Sequence, residues 1–135
     1  MLWWSQLIAW LWPSPANLGA QGEARAADYF RRRGATVLAR NWRSGRDELD
    51  LVVLEGRVLV FVEVKTRTAE WGGAGWFAVD ARKRRALRRA ARAWVRAAGG
   101  APHTRFDVVE VLVCHGAAPR IVHHLGVPLL GRARH

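Results

Sequence analysis

The stretch from Glu48 to Thr66 leaves the fewest folds open. Two runs rich in valine, leucine and phenylalanine, Glu48 to Leu54 and Arg57 to Thr66, flank the tight-turn pair Glu55-Gly56 and predict an antiparallel hairpin. With that pair as a two-residue turn, Asp50 lies opposite Phe61 and Glu48 opposite Glu63. Side chains alternate along a strand, so Glu48, Asp50, Glu63 and Lys65 share one face with Val52, Leu59 and Phe61. Leu51, Val53, Val58, Val60, Val62 and Val64 fill the other. A strand pair apolar on both sides belongs in a covered central sheet.

Acids in such a place need a partner. Two carboxylates about 4 Å apart repel by about 4 kcal/mol at an effective dielectric near 20, and Lys65 neutralises only one of them. Three carboxylates and one ammonium on a common face therefore point to a divalent cation, with hard oxygen ligands suiting Mg²⁺ or Mn²⁺ rather than zinc. The inference depends on register, because a one-residue slip would turn Glu63 away from Asp50.

The rest of the chain builds one domain around this hairpin. Residues 19 to 33 have helical spacing, with Ala20, Glu23, Ala24, Ala27 and Phe30 on one side and Gly34 as the stop. A strand from Thr36 to Asn41 precedes the hairpin. Residues 69 to 79 read as a loop in which Trp71 or Trp76 wedges into the core or meets unstacked bases. A second helix runs from Asp80 to Ala98, followed by strands Arg105 to Val113 and Arg120 to Leu125. The order α-β-β-β-α-β-β reads as a single α/β domain with a mixed central sheet flanked by helices. Its 135 residues suit one core.

Residues 1–16 form a tryptophan-rich hydrophobic leader ahead of a domain at 17–127, and 128–135 a basic tail. The apolar run from Met1 to Trp12 is too short to span a bilayer and has no basic residue before it. Docking on the core or on a second copy is favoured over membrane contact. Pro13 and Pro15 are expected to stop any helix at the junction. Cys114 is the only cysteine, which excludes an intrachain disulfide and suits a cytoplasmic protein.

Twenty-two basic residues against 11 acidic ones leave a net charge of +11, which argues for an anionic partner, nucleic acid first. On the second helix Arg82, Arg85, Arg89, Arg92 and Arg96 fall on one side, opposite Leu87, Ala90, Ala91 and Trp94. Lys83 sits near the apolar side, directed toward the sheet. Thr66 and Arg67 follow the acidic strand closely enough to reach a phosphate. His123 and His124, adjacent on a late strand, face opposite sides and make no paired metal site; His103 and His115 read as loop residues.

The runs Asp47-Glu48-Leu49-Asp50-Leu51 and Phe61-Val62-Glu63-Val64-Lys65-Thr66-Arg67 resemble the GEIDL and FVEVKTR signatures of the YraN-like uncharacterised bacterial family. Gly22-Glu23, Asn41-Trp42-Arg43, Lys83 and Arg105-Phe106-Asp107-Val108-Val109 extend the match over about residues 19 to 125. That family is grouped with the PD-(D/E)XK nucleases and is similar to archaeal Holliday-junction resolvases. The resemblance implies a restriction-endonuclease-like domain that hydrolyses phosphodiesters with Mg²⁺ or Mn²⁺, on DNA and at branched or junction structures; a symmetric junction invites a two-fold enzyme, so a homodimer is expected. The resemblance assigns Asp50 and Glu63 as metal-binding acids, the Val64 carbonyl as a further ligand, Lys65 as the lysine of the E-x-K element and Glu23 as the first-helix acid. Lys65 would either activate the attacking water or stabilise transition-state charge. Asp47 departs from the family's glycine. A nucleic-acid-binding or assembly module that keeps the nuclease fold without efficient turnover is the alternative.

Overall fold

The computed structural model describes residues 15–68, 81–101 and 103–127, so the leader as far as Ser14, the expected loop at 69–79 with Trp71 and Trp76, and the basic tail lie outside the described residues. Pro15 does not interrupt a helix; it begins one, α1 (Pro15–Arg32). The first helical position asks for no amide donor and accepts the fixed φ of proline. α1 thus starts inside the segment assigned to the leader. It ends as expected at Gly34, whose φ of 85° lets the Ala35 amide reach back to the Phe30 carbonyl at 3.0 Å. Its buried side is Ala26, Ala27 and Phe30, whereas Ala20 is exposed.

Strands β1 (Thr36–Ser44), β2 (Asp47–Glu55) and β3 (Val58–Thr68) form an antiparallel meander. Helix α2 (Ala81–Ala98) carries the chain to β4 (His103–Val113), which pairs parallel to β3, and β5 (Arg120–His124) closes the far edge antiparallel. The result is a five-stranded mixed sheet in the order β1-β2-β3-β4-β5. His103, read as a loop residue, is the first residue of β4.

The two helices cover opposite faces. Ala26, Ala27 and Phe30 of α1 pack on Leu51, Val53, Val60, Val62, Val109 and Val111. Leu87, Ala90 and Ala91 of α2 pack on Leu49, Val52, Leu59, Phe61, Phe106 and Val108. β2 and β3 are therefore apolar on both sides, as their sequence requires. Where α1 crosses β3 the helix lies so close that a Cβ on Gly22 would collide with the Thr66 hydroxyl.

The hairpin register differs from the expected one. Glu55 pairs with Val58, so the turn is Gly56-Arg57, with Gly56 at a φ of 61°, and Leu51 pairs with Val62. This moves the ladder by two residues, which changes partners and preserves faces. Asp50 is carried level with Glu63 instead of Phe61, and Glu48 no longer stands across from Glu63.

Candidate functional site

The β2–β3 ladder closes at Leu51↔Val62, and immediately beyond it the Asp50 side chain replaces a backbone partner. The Val64 amide donates to Asp50 Oδ2 at 2.8 Å. Glu63, only 4% exposed, lies beside it. Burial, the neighbouring Glu63 carboxylate and Glu23 on α1 together push Asp50 up to about 7, against the pull of the Val64 hydrogen bond. Two ammonium groups converge on Glu63 Oε1: Lys65 Nζ at 3.4 Å and Lys83 Nζ at 3.5 Å, the latter reaching in from the first turns of α2. Asp50, Glu63 and Lys65 are thus brought together, Lys83 joins them, and Glu23 is near enough for its charge to be felt.

Glu48 does not join them. β2 loses its alternation at Asp50, opposite Asn41, whose φ of 49° puts a kink in β1. Leu49 and Val52 consequently face α2 together. The kink sends Glu48 to its neighbour Arg43, 3.8 Å away. Among the described residues no three His, Cys, Asp or Glu side chains gather closely enough to hold a metal ion between them. Asp50 and Glu63 are a pair, not part of a trio.

Thr66 and Arg67 follow on opposite faces of β3. Thr66 is held against Gly22 on the α1 side. Arg67 lies 4.0 Å from Glu110, a fully buried carboxylate that is also hydrogen-bonded to His124 Nε2 at 2.8 Å. Because Lys65 pairs with Glu110 across β3 and β4, this second charged group continues the polar row begun by Glu63 and Lys65. The sequence signal for it was an acid inside an otherwise apolar strand.

All five stripe arginines of α2 are exposed. Arg89 is nevertheless engaged: its guanidinium grips both oxygens of Asp47 at 2.9 and 3.0 Å and holds that carboxyl below the usual range. Asp47 therefore clasps α2 to the start of β2.

A network on the α1 face escaped sequence reasoning. Asp107, fully buried, accepts two hydrogen bonds from Arg105 at 2.8 and 3.0 Å, one from the Gly126 amide at 3.0 Å, and meets His123 Nε2 at 2.8 Å. Burial alone would raise its pKa, but His123, Arg105 and Gly126 outweigh it and hold the carboxyl down. As an ionised carboxylate only accepts, His123 Nε2 donates to Asp107, and the Nδ1 of the same ring is hydrogen-bonded to the Tyr29 hydroxyl, 3.0 Å away. His123 and His124 do face opposite sides, each fastened to a different buried acid.

Residues 22–111 match the model of the uncharacterised protein family UPF0102. A UPF0102 protein of Mycolicibacterium vanbaalenii is 44% identical over 115 residues, covering 84% of this chain and 95% of the relative. One from Rhodococcus jostii is 45% identical over 107 residues, with 78% and 91% covered. One from Solibacter usitatus is 48% identical over 110 residues, with 79% and 82% covered.

Proposed function

We propose that this chain, which belongs to the UPF0102 family, is a nuclease of restriction-endonuclease-like architecture that hydrolyses phosphodiesters of DNA with a divalent cation. The observation that carries the reading is the juxtaposition of Asp50 and Glu63 at the point where the ladder ends, with Lys65 and Lys83 against Glu63. An acid pushed up to about 7 by burial and by a neighbouring carboxylate is under-compensated, and a cation would relieve it. Mg²⁺ is held by one or two protein carboxylates with waters and substrate phosphates completing the shell, so this pair suits it where a closed cage would not.

Asp50 and Glu63 would hold the ion, with the Val64 carbonyl beside them. Bound there, Mg²⁺ or Mn²⁺ supplies a water acidified toward neutral pH and positive charge for the phosphate. Lys65 contributes the protein's own cation next to the reacting phosphate, Lys83 fixes the Glu63 carboxylate from α2, and Val64 N–H fixes Asp50. The exposed arginines of α2 track the backbone of the substrate. Branched or junction DNA, cleaved by a homodimer in the cytoplasm, is the substrate class and setting this reading favours; among the described residues no helix is long and apolar enough to cross a membrane.

Two observations favour the second reading, a nucleic-acid-binding or assembly module without efficient turnover: Glu48 is paired with Arg43, and two lysines already face Glu63. A cleavage screen on single-stranded, duplex, flap and four-way DNA with Mg²⁺ or Mn²⁺ separates the two. The nuclease reading expects cutting that disappears in Asp50→Asn, Glu63→Gln and Lys65→Ala; salt-sensitive binding with no cutting on any substrate selects the module.

A further inference from the structure

A cleft of about 740 Å³ opens beside the C-terminal half of α2. Its floor is apolar, made of Phe61, Ala91, Phe106 and Val127. Arg88, Arg92 and Arg96 line it from the helix, one turn apart. Arg105 is also at its wall, but its guanidinium is committed to Asp107 and Glu55. Among the described residues no acid lies within ion-pairing distance of Arg88, Arg92 or Arg96.

The two halves of this lining ask for different chemistry. A purely apolar guest has no use for three guanidinium groups, and a free phosphate has none for a floor of aromatic and aliphatic carbon. A guest satisfying both carries flat apolar rings on a polyanionic backbone. Spacing agrees: arginines four residues apart on a helix rise about 6 Å per step, so three of them follow one strand over successive phosphates. In a duplex the base faces are stacked and out of reach; only an unpaired base can lie on such a floor. The volume is within the range of sites that take a ligand of nucleotide size. Phe61 is two residues before Glu63 on the same face of β3, so the floor begins about 7 Å from the acid pair.

We propose that this cleft is a subsite for an unpaired nucleobase, on a strand whose phosphates lie along Arg88, Arg92 and Arg96. The inference rests on the nucleic-acid reading above and extends it by naming the substrate class: a strand unpaired beside the point of hydrolysis.

Binding measured by fluorescence anisotropy in EDTA, where no cleavage can occur, tests it with two single strands of equal length: oligothymidylate and a fully abasic strand with the same phosphates. The wild-type chain should bind oligothymidylate about tenfold tighter, the worth of one stacked base. Thr104 is exposed at the cleft wall, so Thr104→Trp fills the space from outside the core. That variant should bind both strands at the abasic affinity, whereas Arg92→Gln with Arg96→Gln should weaken both and keep their ratio. Equal binding of the two strands by the wild type overturns the proposal, as does a preference undiminished in Thr104→Trp. A dimer in sedimentation that Thr104→Trp dissolves, with no base preference, also overturns it and gives the cleft to a second copy. Preference without Mn²⁺-dependent cutting removes the hydrolytic reading alone; cutting without preference removes the subsite alone.

Discussion

The Val64 amide donates to Asp50 Oδ2 at 2.8 Å, and this one bond fastens the end of β2 to β3 where their ladder has stopped. It also fixes the Asp50 carboxyl beside Glu63, at the cost of crowding two acids.

Burial of Asp50, together with that crowding, sets a pH dependence of unusual sign. Asp50 is raised to about 7, so between the ordinary carboxylate value and 7 the folded chain binds more protons than the unfolded one. Its stability falls as pH rises through that window, by on the order of 1–3 kcal/mol. Urea midpoints at pH 5 and pH 8 should differ accordingly, and Asp50→Asn should flatten the difference. Added Mn²⁺ should recover stability at pH 8 more than at pH 5, since it requires the ionised acid.

Asp107 behaves in the opposite way. Its carboxyl is held down despite burial, so it stabilises the fold above the ordinary carboxylate range and ceases to as pH falls below it. Asp107→Ala removes a buried acid bonded to Arg105, His123 and Gly126 and should cost about 3–5 kcal/mol in thermal or urea unfolding. A loss below about 1 kcal/mol would show the network to be dispensable.

Gly22→Ala should destabilise by about 1–3 kcal/mol, because its methyl meets the Thr66 hydroxyl where α1 crosses β3. Thr66→Ala removes that hydroxyl and should return part of the loss. A double-mutant cycle read by thermal melting shows it as a coupling of opposite sign to the single effects.

On α2, neutralising Arg85, Arg92 or Arg96 should reduce the salt dependence of nucleic-acid binding by about 0.7–0.9 in the log–log slope for each phosphate left without its arginine. Arg89→Gln should change that slope less and stability more, since Asp47 already holds its guanidinium. Equal slopes for Arg89→Gln and Arg92→Gln would deny the clasp any influence on binding.

The elements were legible because their patterns are clean: near-continuous apolar runs broken by a turn for β2 and β3, an arginine side and an apolar side for α2. The register was not, because Glu55-Gly56 and Gly56-Arg57 both suit a two-residue turn; the faces survived since the two choices differ by an even step. Glu48 was misplaced because its direction depends on a left-handed Asn41 on the neighbouring strand, which residue type alone does not dictate. The buried pairs Asp107–His123 and Glu110–His124 join residues 16 and 14 apart, and only the β4–β5 pairing brings them together.

Pairing of β3 with β4 across α2 has a consequence for the order of assembly. The meander β1-β2-β3 closes through short turns, whereas β4 reaches β3 only after the whole helical crossover, an excursion with a far larger loop entropy. Asp50 and Glu63 therefore meet in the part that nucleates cheaply, ahead of the arrival of Lys83. Early in folding the nascent hairpin carries its own repulsion at neutral pH, and mild acid should speed that first step.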